Sequence, residues 1–555
     1  MKNTSSIHQI VLLFLFSVFY TNSYSQDVLW EKSFGGKQAE YLFDAQPTAD
    51  YGFILAGSSL SNKTGNKTGD NHGDLDYWVW KMDEKGDIDW QKNIGGSGFD
   101  LLQSIKNTND GGFILAGTSN SPNDFQKKHP CKGLTDYWII KLDVKGNEQW
   151  QRTIGGSGQD EVLCAFQTKD GGYILGGSSS SSPKEIQNND SDVKDTQEKF
   201  DLYVKTEKCS GNMDYWIIKL DNNGIIQWQK TYGGIYADVL RSMEQTKDGG
   251  YILGGYSNSP ISGEKSEDNI GIGDYWIIKT DNLGTIKWQK TYGGNGDNQL
   301  NVIHQTYDGN FIAGGNSNSQ DQLTVKGGTV SVGTDYWILK MDEKGEVIWT
   351  QTYDFGKVDI LTSLIENNDH TLLIGGYAQS ENKNPYLKTI QKDKIGVNDY
   401  IALKINEKGE ILWNNIVGSS GEDILRKLIE TRDGGYLLAG TSNSKSSRDK
   451  ETNIGYNDFW VVKLLDKSKP KVEKKPVEAI PNPATDFTNI IIGYDFKNGT
   501  AILSDIAGQI LQSFKITGRT IPIDLQGLPE GIYIVNIRTD IQNNGVKIIK
   551  TINRK

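Results

Sequence analysis

The sequence predicts an all-β chain: a seven-bladed β-propeller closed by its N-terminal strand, followed by a small immunoglobulin-like β-sandwich. Three observations carry this expectation. One unit recurs seven times along the chain. Each unit holds short runs rich in Ile, Tyr, Trp and Val, separated by Asp-Gly and Gly-Gly turns. The last copy stops after its third run, and the start of the chain supplies a run with no third strand before it.

The repeat is marked by Asp76-Tyr77-Trp78, Asp136-Tyr137-Trp138, Asp214-Tyr215-Trp216, Asp274-Tyr275-Trp276 and Asp335-Tyr336-Trp337, then Asp399-Tyr400-Ile401 and Asp458-Phe459-Trp460. The spacings are 60, 78, 60, 61, 64 and 59 residues. In the fourth copy, 239–246, 251–257, 275–280 and 285–292 read as strands. The turns 247–250 and 281–284 join them in pairs, because glycine supplies the positive φ that a tight hairpin needs. Four short antiparallel strands repeated seven times describe propeller blades. Residues 28–34 are expected to complete the last blade, which protects an edge that an open sheet would expose.

The rest of the chain follows in order. Residues 1–25 read as a signal peptide, with Lys2, the apolar run 10–20 and small residues Ser23 and Ser25 before Gln26. That run is too short to favour a membrane span. Residues 26–466 form the propeller, and the Lys- and Pro-rich stretch 467–479 reads as a linker. Residues 480–555 hold a second β domain, with strands near 489–494, 501–503, 509–516, 532–538 and 546–552. The net charge of −11 argues against nucleic acid as a partner.

Two resemblances bear on this organisation. The stretch from Ile217 to Trp228 resembles the tryptophan motif of quinoprotein-like propellers, and Gly254-Gly255 and Gly375-Gly376 resemble kelch repeats. Quinoprotein enzymes pair eight blades with vicinal cysteines, which this chain lacks, so no cofactor is expected from that likeness. The C-terminal segment resembles the type IX secretion sorting domain of the Bacteroidetes. It carries Pro481-Asn482-Pro483, the turn Asp505-Ile506-Ala507-Gly508, then Leu528 to Tyr533 with Gly531 before Tyr533, and Lys547-Ile548-Ile549-Lys550. That resemblance implies export to the surface or the medium through the type IX machinery, after signal-peptide passage to the periplasm.

Strand order places the short turns on one face of the disc and the long insertions on the other, so a site is expected on the insertion face. The candidate ligand-binding residues there are Asp76, Asp136, Asp214, Asp274, Asp335, Asp399 and Asp458. A second ring of polar residues is Glu40, Asp100, Asp160, Asp238, Asn298, Asp359 and Asp423. Such carboxylates suit structural calcium or glycosidic acid–base work, or simply accept hydrogen bonds from loop N–H groups once per blade. Sevenfold repetition favours the last of these, since a catalytic pair occurs once. Cys131 and Cys209 sit in neighbouring insertions and form a candidate disulfide, while Cys164 falls on an inner strand as a buried thiol.

No HExxH, GxSxG or P-loop pattern occurs, and no catalytic or metal-binding residue is assigned. The leading expectation is a non-catalytic surface or secreted module that binds glycan or protein. The alternatives are a polysaccharide-degrading glycoside hydrolase and a structural surface module.

Overall fold

The computed structural model describes residues 26–183, 202–319, 333–380 and 397–551, except 468 and 471. The expected signal peptide and the middle of the third insertion lie outside the described residues. Those residues form strands and turns without an α-helix. Thus no helix among them is long and apolar enough to cross a membrane.

Seven four-stranded antiparallel sheets occupy the repeat region. Six use strands consecutive in sequence, as in Asp238–Gln245, Tyr251–Ser257, Asp274–Thr280 and Ile286–Tyr292. The seventh joins Asp423–Glu430, Tyr436–Ser442 and Asp458–Leu465 to Asp27–Phe34 from the N-terminal end. There Glu31 pairs with Val462 and Phe34 with Phe459. The first sheet packs against the seventh, and the Leu42 N–H donates to Thr441 Oγ1 at 3.0 Å. This topology resembles propeller blades.

Burial explains the sequence pattern. The two middle strands of each sheet are sandwiched between neighbouring sheets, so both faces are buried and the runs are continuously apolar. Each apolar cluster therefore draws on adjacent sheets, as where Ile252 and Tyr275 pack with Leu300, Phe311 and Trp337.

The repeated Tyr-Trp dipeptide ties sheet to sheet. The Tyr77 hydroxyl donates to the Trp138 carbonyl, Tyr137 to Trp216, Tyr215 to Trp276, Tyr275 to Trp337 and Tyr400 to Trp460, all at 3.0–3.3 Å. Tyr336 faces the sheet where Ile401 replaces Trp, and its buried hydroxyl has no hydrogen-bond partner among the described residues. The half-buried outer-strand tryptophans reach the next sheet as well: Trp288 Nε1 donates to the Glu343 carbonyl and Trp349 Nε1 to that of Glu407, both at 3.0 Å.

The C-terminal segment forms two further sheets. One joins Val477–Ile480, Phe487–Ile492 and Thr520–Asp524; the other joins Gly499–Asp505, Ile510–Ile516, Gly531–Thr539 and Asn543–Lys550. Ile490, Leu503, Ile523, Val535 and Ile548 fill the space between them. The strand Val477–Ile480 starts inside the stretch read as a linker, since its lysines and prolines end before the pairing begins. Thr520–Asp524 was not expected as a strand, because Pro522 interrupts it.

Candidate functional site

Each innermost strand of the seven sheets carries a β-bulge. The extra residues are Phe43, Gln103, Leu163, Arg241, Asn301, Thr362 and Arg426. A bulge re-aims a side chain out of the pleat. Here all seven line one central cavity of about 590 Å³. Its volume lies within the range of small-molecule sites, roughly 300–1,000 Å³.

The cavity is cationic in an acidic protein. Lys106, Arg241, Arg426 and Lys427 line it against a single carboxylate, Asp44. Asp44 is held by Lys106 at 3.1 Å and Lys427 at 3.6 Å. Burial pushes its carboxyl up, but the two ammonium groups outweigh that and hold it below the usual range. Burial pushes Lys427 down. Among the described residues, Arg241 and Arg426 make no ion pair and no hydrogen bond, and Arg426 Nε is a buried donor without an acceptor. The Arg426 guanidinium lies over the Phe43 ring at 5.4 Å.

The expected candidate residues lie elsewhere. Asp76, Asp136, Asp214, Asp274, Asp335, Asp399 and Asp458 are all buried, at most 4% exposed. Five of them accept from the backbone N–H four residues earlier, at 2.5–2.9 Å: Asp76, Asp136, Asp214, Asp274 and Asp458. The second ring does the same, as with the Gly96 N–H on Asp100 at 2.8 Å and the Gly234 N–H on Asp238 at 2.7 Å. Each insertion whose structure is described adds a buried lysine to this layer. Lys127, for example, donates to Thr153 Oγ1 at 2.7 Å and lies over Trp138. Burial pushes Lys67 down to about 8.

Where the rings meet, two carboxyls from neighbouring sheets share a buried site. Burial pushes Asp136 and Asp214 up to about 6, with Asp160 and Asp238 respectively adding repulsion. Asn298 takes one acidic place, and its Nδ2 donates to Asp274 Oδ1 at 3.2 Å. One junction is richer in charge. At Gly95, Gly155, Gly233, Gly293 and Gly418 a Cβ would stand 1.7–2.3 Å from an oxygen of the third-strand aspartate. The equivalent position in the fifth unit is Asp354. Oxygens of Asp335, Asp354 and Asp359 lie within 4.8 Å of one another, the one group of described residues with a cation-binding donor set. Burial, then repulsion by Asp335 and Asp354, pushes Asp359 up to about 8.

Cys131 and Cys209, expected as a candidate disulfide, are free thiols, as is Cys164. The two occupy matching places in adjacent sheets, and each is held in its own loop. Cys131 Sγ donates to the Ser119 carbonyl at 2.9 Å and Cys209 Sγ to that of Ser179 at 3.0 Å. Cys164 lines the central cavity, and burial pushes its thiol up to about 12.

The residues expected as the sorting signal lie within the C-terminal sheets and their turns. Pro481 and Pro483 flank Asn482, whose Nδ2 donates to the Lys547 carbonyl at 2.7 Å and whose Oδ1 accepts from the Ile549 N–H at 2.9 Å. Gly508 takes φ +86° in the turn closed on Asp505. Gly531 opens the strand in which the Tyr533 hydroxyl donates to the Pro529 carbonyl at 2.7 Å. Lys550 is buried, with Nζ on the Leu525 carbonyl.

This segment also contacts the short-turn face of the repeat region. Arg519 pairs with Glu84 at 2.7 Å, and Glu478 with Arg432 at 2.7 Å. Lys474 joins Glu84, and the Thr520 hydroxyl reaches Asp50 at 3.3 Å. Glu84 is held down at about 2, because hydrogen bonds from Arg519 and Lys474 outweigh its burial. These contacts lie opposite the insertions.

The comparisons fit this division. Residues 478–551 match the secretion system C-terminal sorting domain family. The chain therefore carries a type IX sorting tail, the mark of cargo bound for the cell surface or the medium, on a propeller-like body. No curated protein matches the chain. Among solved structures, the Pan2 WD40 domain of Neurospora crassa is 9% identical, with 82% of this chain and 99% of that one covered at a TM-score of 0.40. Sqt1 from Chaetomium thermophilum is 10% identical, with 80% and 99% covered at a TM-score of 0.39. PorZ, a surface component of the type IX secretion system of Porphyromonas gingivalis, is 9% identical, with 92% and 81% covered at a TM-score of 0.16.

The bulge residues are what sequence reasoning missed. Aligning the units exposes the signal. Three residues after each first-strand acid or Asn298 the position reads Phe, Gln, Leu, Arg, Asn, Thr and Arg, while the residue before it is Leu or Val in every unit. A position that varies inside a regular repeat is released from packing and free to serve a ligand.

Proposed function

We propose that the protein is a seven-bladed propeller closed by its N-terminal strand and exported by the type IX route. At the surface or in the medium it acts as a non-catalytic module that binds glycan or protein. One observation carries this reading: seven bulges deliver six kinds of side chain, with arginine twice, to one cavity on a scaffold built from repeated sheets. The sorting domain contacts the short-turn face, which leaves the insertion face as the side of approach. The repeated acids support the scaffold and the export tail supplies the location.

The test uses the purified protein with a panel of bacterial, plant and algal polysaccharides. Retention in affinity gels and release of reducing ends are read in the same samples. The expected result is retention without cleavage, weakened by substitution of bulge residues. Cleavage would overturn the non-catalytic reading in favour of a hydrolase.

A further inference from the structure

We infer that the central cavity selects a ligand by a single oxyanion group, the carboxylate of a uronic acid or the sulfate ester of a sulfated sugar. This inference rests on the binding reading above and gives it a chemical class. Asp44 offsets much of the charge of Lys106 and Lys427, which leaves the exposed Arg241, under the longer-range pull of Glu161, and the half-buried Arg426 as cations without an ion-pair partner among the described residues. Neither guanidinium has a hydrogen-bond acceptor among the described residues, and the Arg426 Nε–H is buried. A buried donor without an acceptor costs free energy that a bound oxyanion recovers. Guanidinium is the side chain whose planar fork matches a carboxylate or a sulfate through paired N–H bonds. The arginines come from bulges of the fourth and seventh sheets, so packing in the repeat does not explain their presence.

Nothing in the overall charge leads here. The chain carries −11, so a locally cationic cavity is a departure that focuses attraction on one point. Neutral lining groups such as Gln103, Asn301 and Tyr377 remain to meet hydroxyls of the same ligand.

The test is calorimetric titration of the purified protein with galactose, galacturonate, galactose 6-sulfate and inorganic sulfate. The expected result is binding of the galacturonate or the sulfated sugar but not of galactose, weakening as salt rises. Whichever anionic sugar binds identifies the source of the oxyanion. R241Q and R426Q should each weaken it about tenfold, the order of one charge-assisted hydrogen bond. D44N should strengthen it, since it removes the only carboxylate in the cavity. Cooperative thermal unfolding of the three variants, with D44N melting lower because Lys106 and Lys427 lose their carboxylate, confirms that they fold. Equal binding of galactose and its anions, insensitive to the arginine variants, overturns the oxyanion class and leaves the binding reading standing. So does polysaccharide retention with no response to any anionic probe. No retention and no probe binding overturns both.

Discussion

Removing one hydroxyl from each of two equivalent tyrosines should have opposite effects. Tyr275 and Tyr336 occupy the same repeat position and both are fully buried. The Tyr275 hydroxyl donates to the Trp337 carbonyl at 3.1 Å, and the rings lie 4.6 Å apart. Tyr275→Phe removes a buried inter-sheet hydrogen bond and costs about 1–2 kcal/mol. Tyr336→Phe removes a buried donor that has no acceptor, and so stabilises by up to about 1 kcal/mol. The contrast is thus about 1–3 kcal/mol between two chemically identical changes. Urea unfolding followed by tryptophan fluorescence reads it as midpoints displaced in opposite directions at a common slope. Equal losses in the two variants, or a neutral Tyr275→Phe, would refute the claim that this hydroxyl ties adjacent sheets.

Three further expectations rest on other parts of the molecule. Asp359 is held at about 8 and Asp136 and Asp214 at about 6, above unfolded values near 4, so the stability they contribute is present below pH ~4 and lost as pH rises through 6 to 8. Glu84, held at about 2, acts in the opposite sense and loses its contribution as pH falls from ~4 toward 2. Thermal unfolding across pH should therefore peak near pH 4–5, and D354G should lessen the loss at alkaline pH; a maximum above pH 8 contradicts this. Three thiols should titrate with a chromogenic disulfide reagent after denaturation and react slowly in the native protein, since burial pushes Cys164 to about 12 and Cys209 to about 11; two fewer would mean a disulfide. Deleting residues 478–551 should hold the protein inside the cell envelope while its thermal unfolding stays cooperative, as read by fractionation and calorimetry; undiminished export would contradict the sorting role.

The all-β class and the repeated four-stranded sheets were legible because the repeat writes itself in sequence. Asp-Tyr-Trp or a close variant marks each third strand, and Asp-Gly turns mark several of the hairpins. The sorting tail was legible for the same reason, as an ordered set of short motifs. The central cavity was not. A β-bulge is a one-residue register shift set by how the innermost strands curve around the axis, and nothing at Arg241 or Arg426 announces it locally. The buried lysines of the insertions were also missed, because Lys67 or Lys127 in a polar loop reads as a solvated charge. Only the packing of Trp138 and the acidic layer around Lys127 reveals its place. The cysteines misled for a related reason, since equivalent positions in neighbouring repeats are near in sequence logic yet held apart by their own loops.

The most direct test of the account is a crystal structure of the protein with the sugar or polysaccharide fragment it retains most strongly. Ligand density is expected in the central cavity, against the side chains of Arg241 and Arg426 and within reach of other bulge residues. Ligand density confined to the insertions, or to the junction of Asp335, Asp354 and Asp359, with the cavity unfilled, would contradict it.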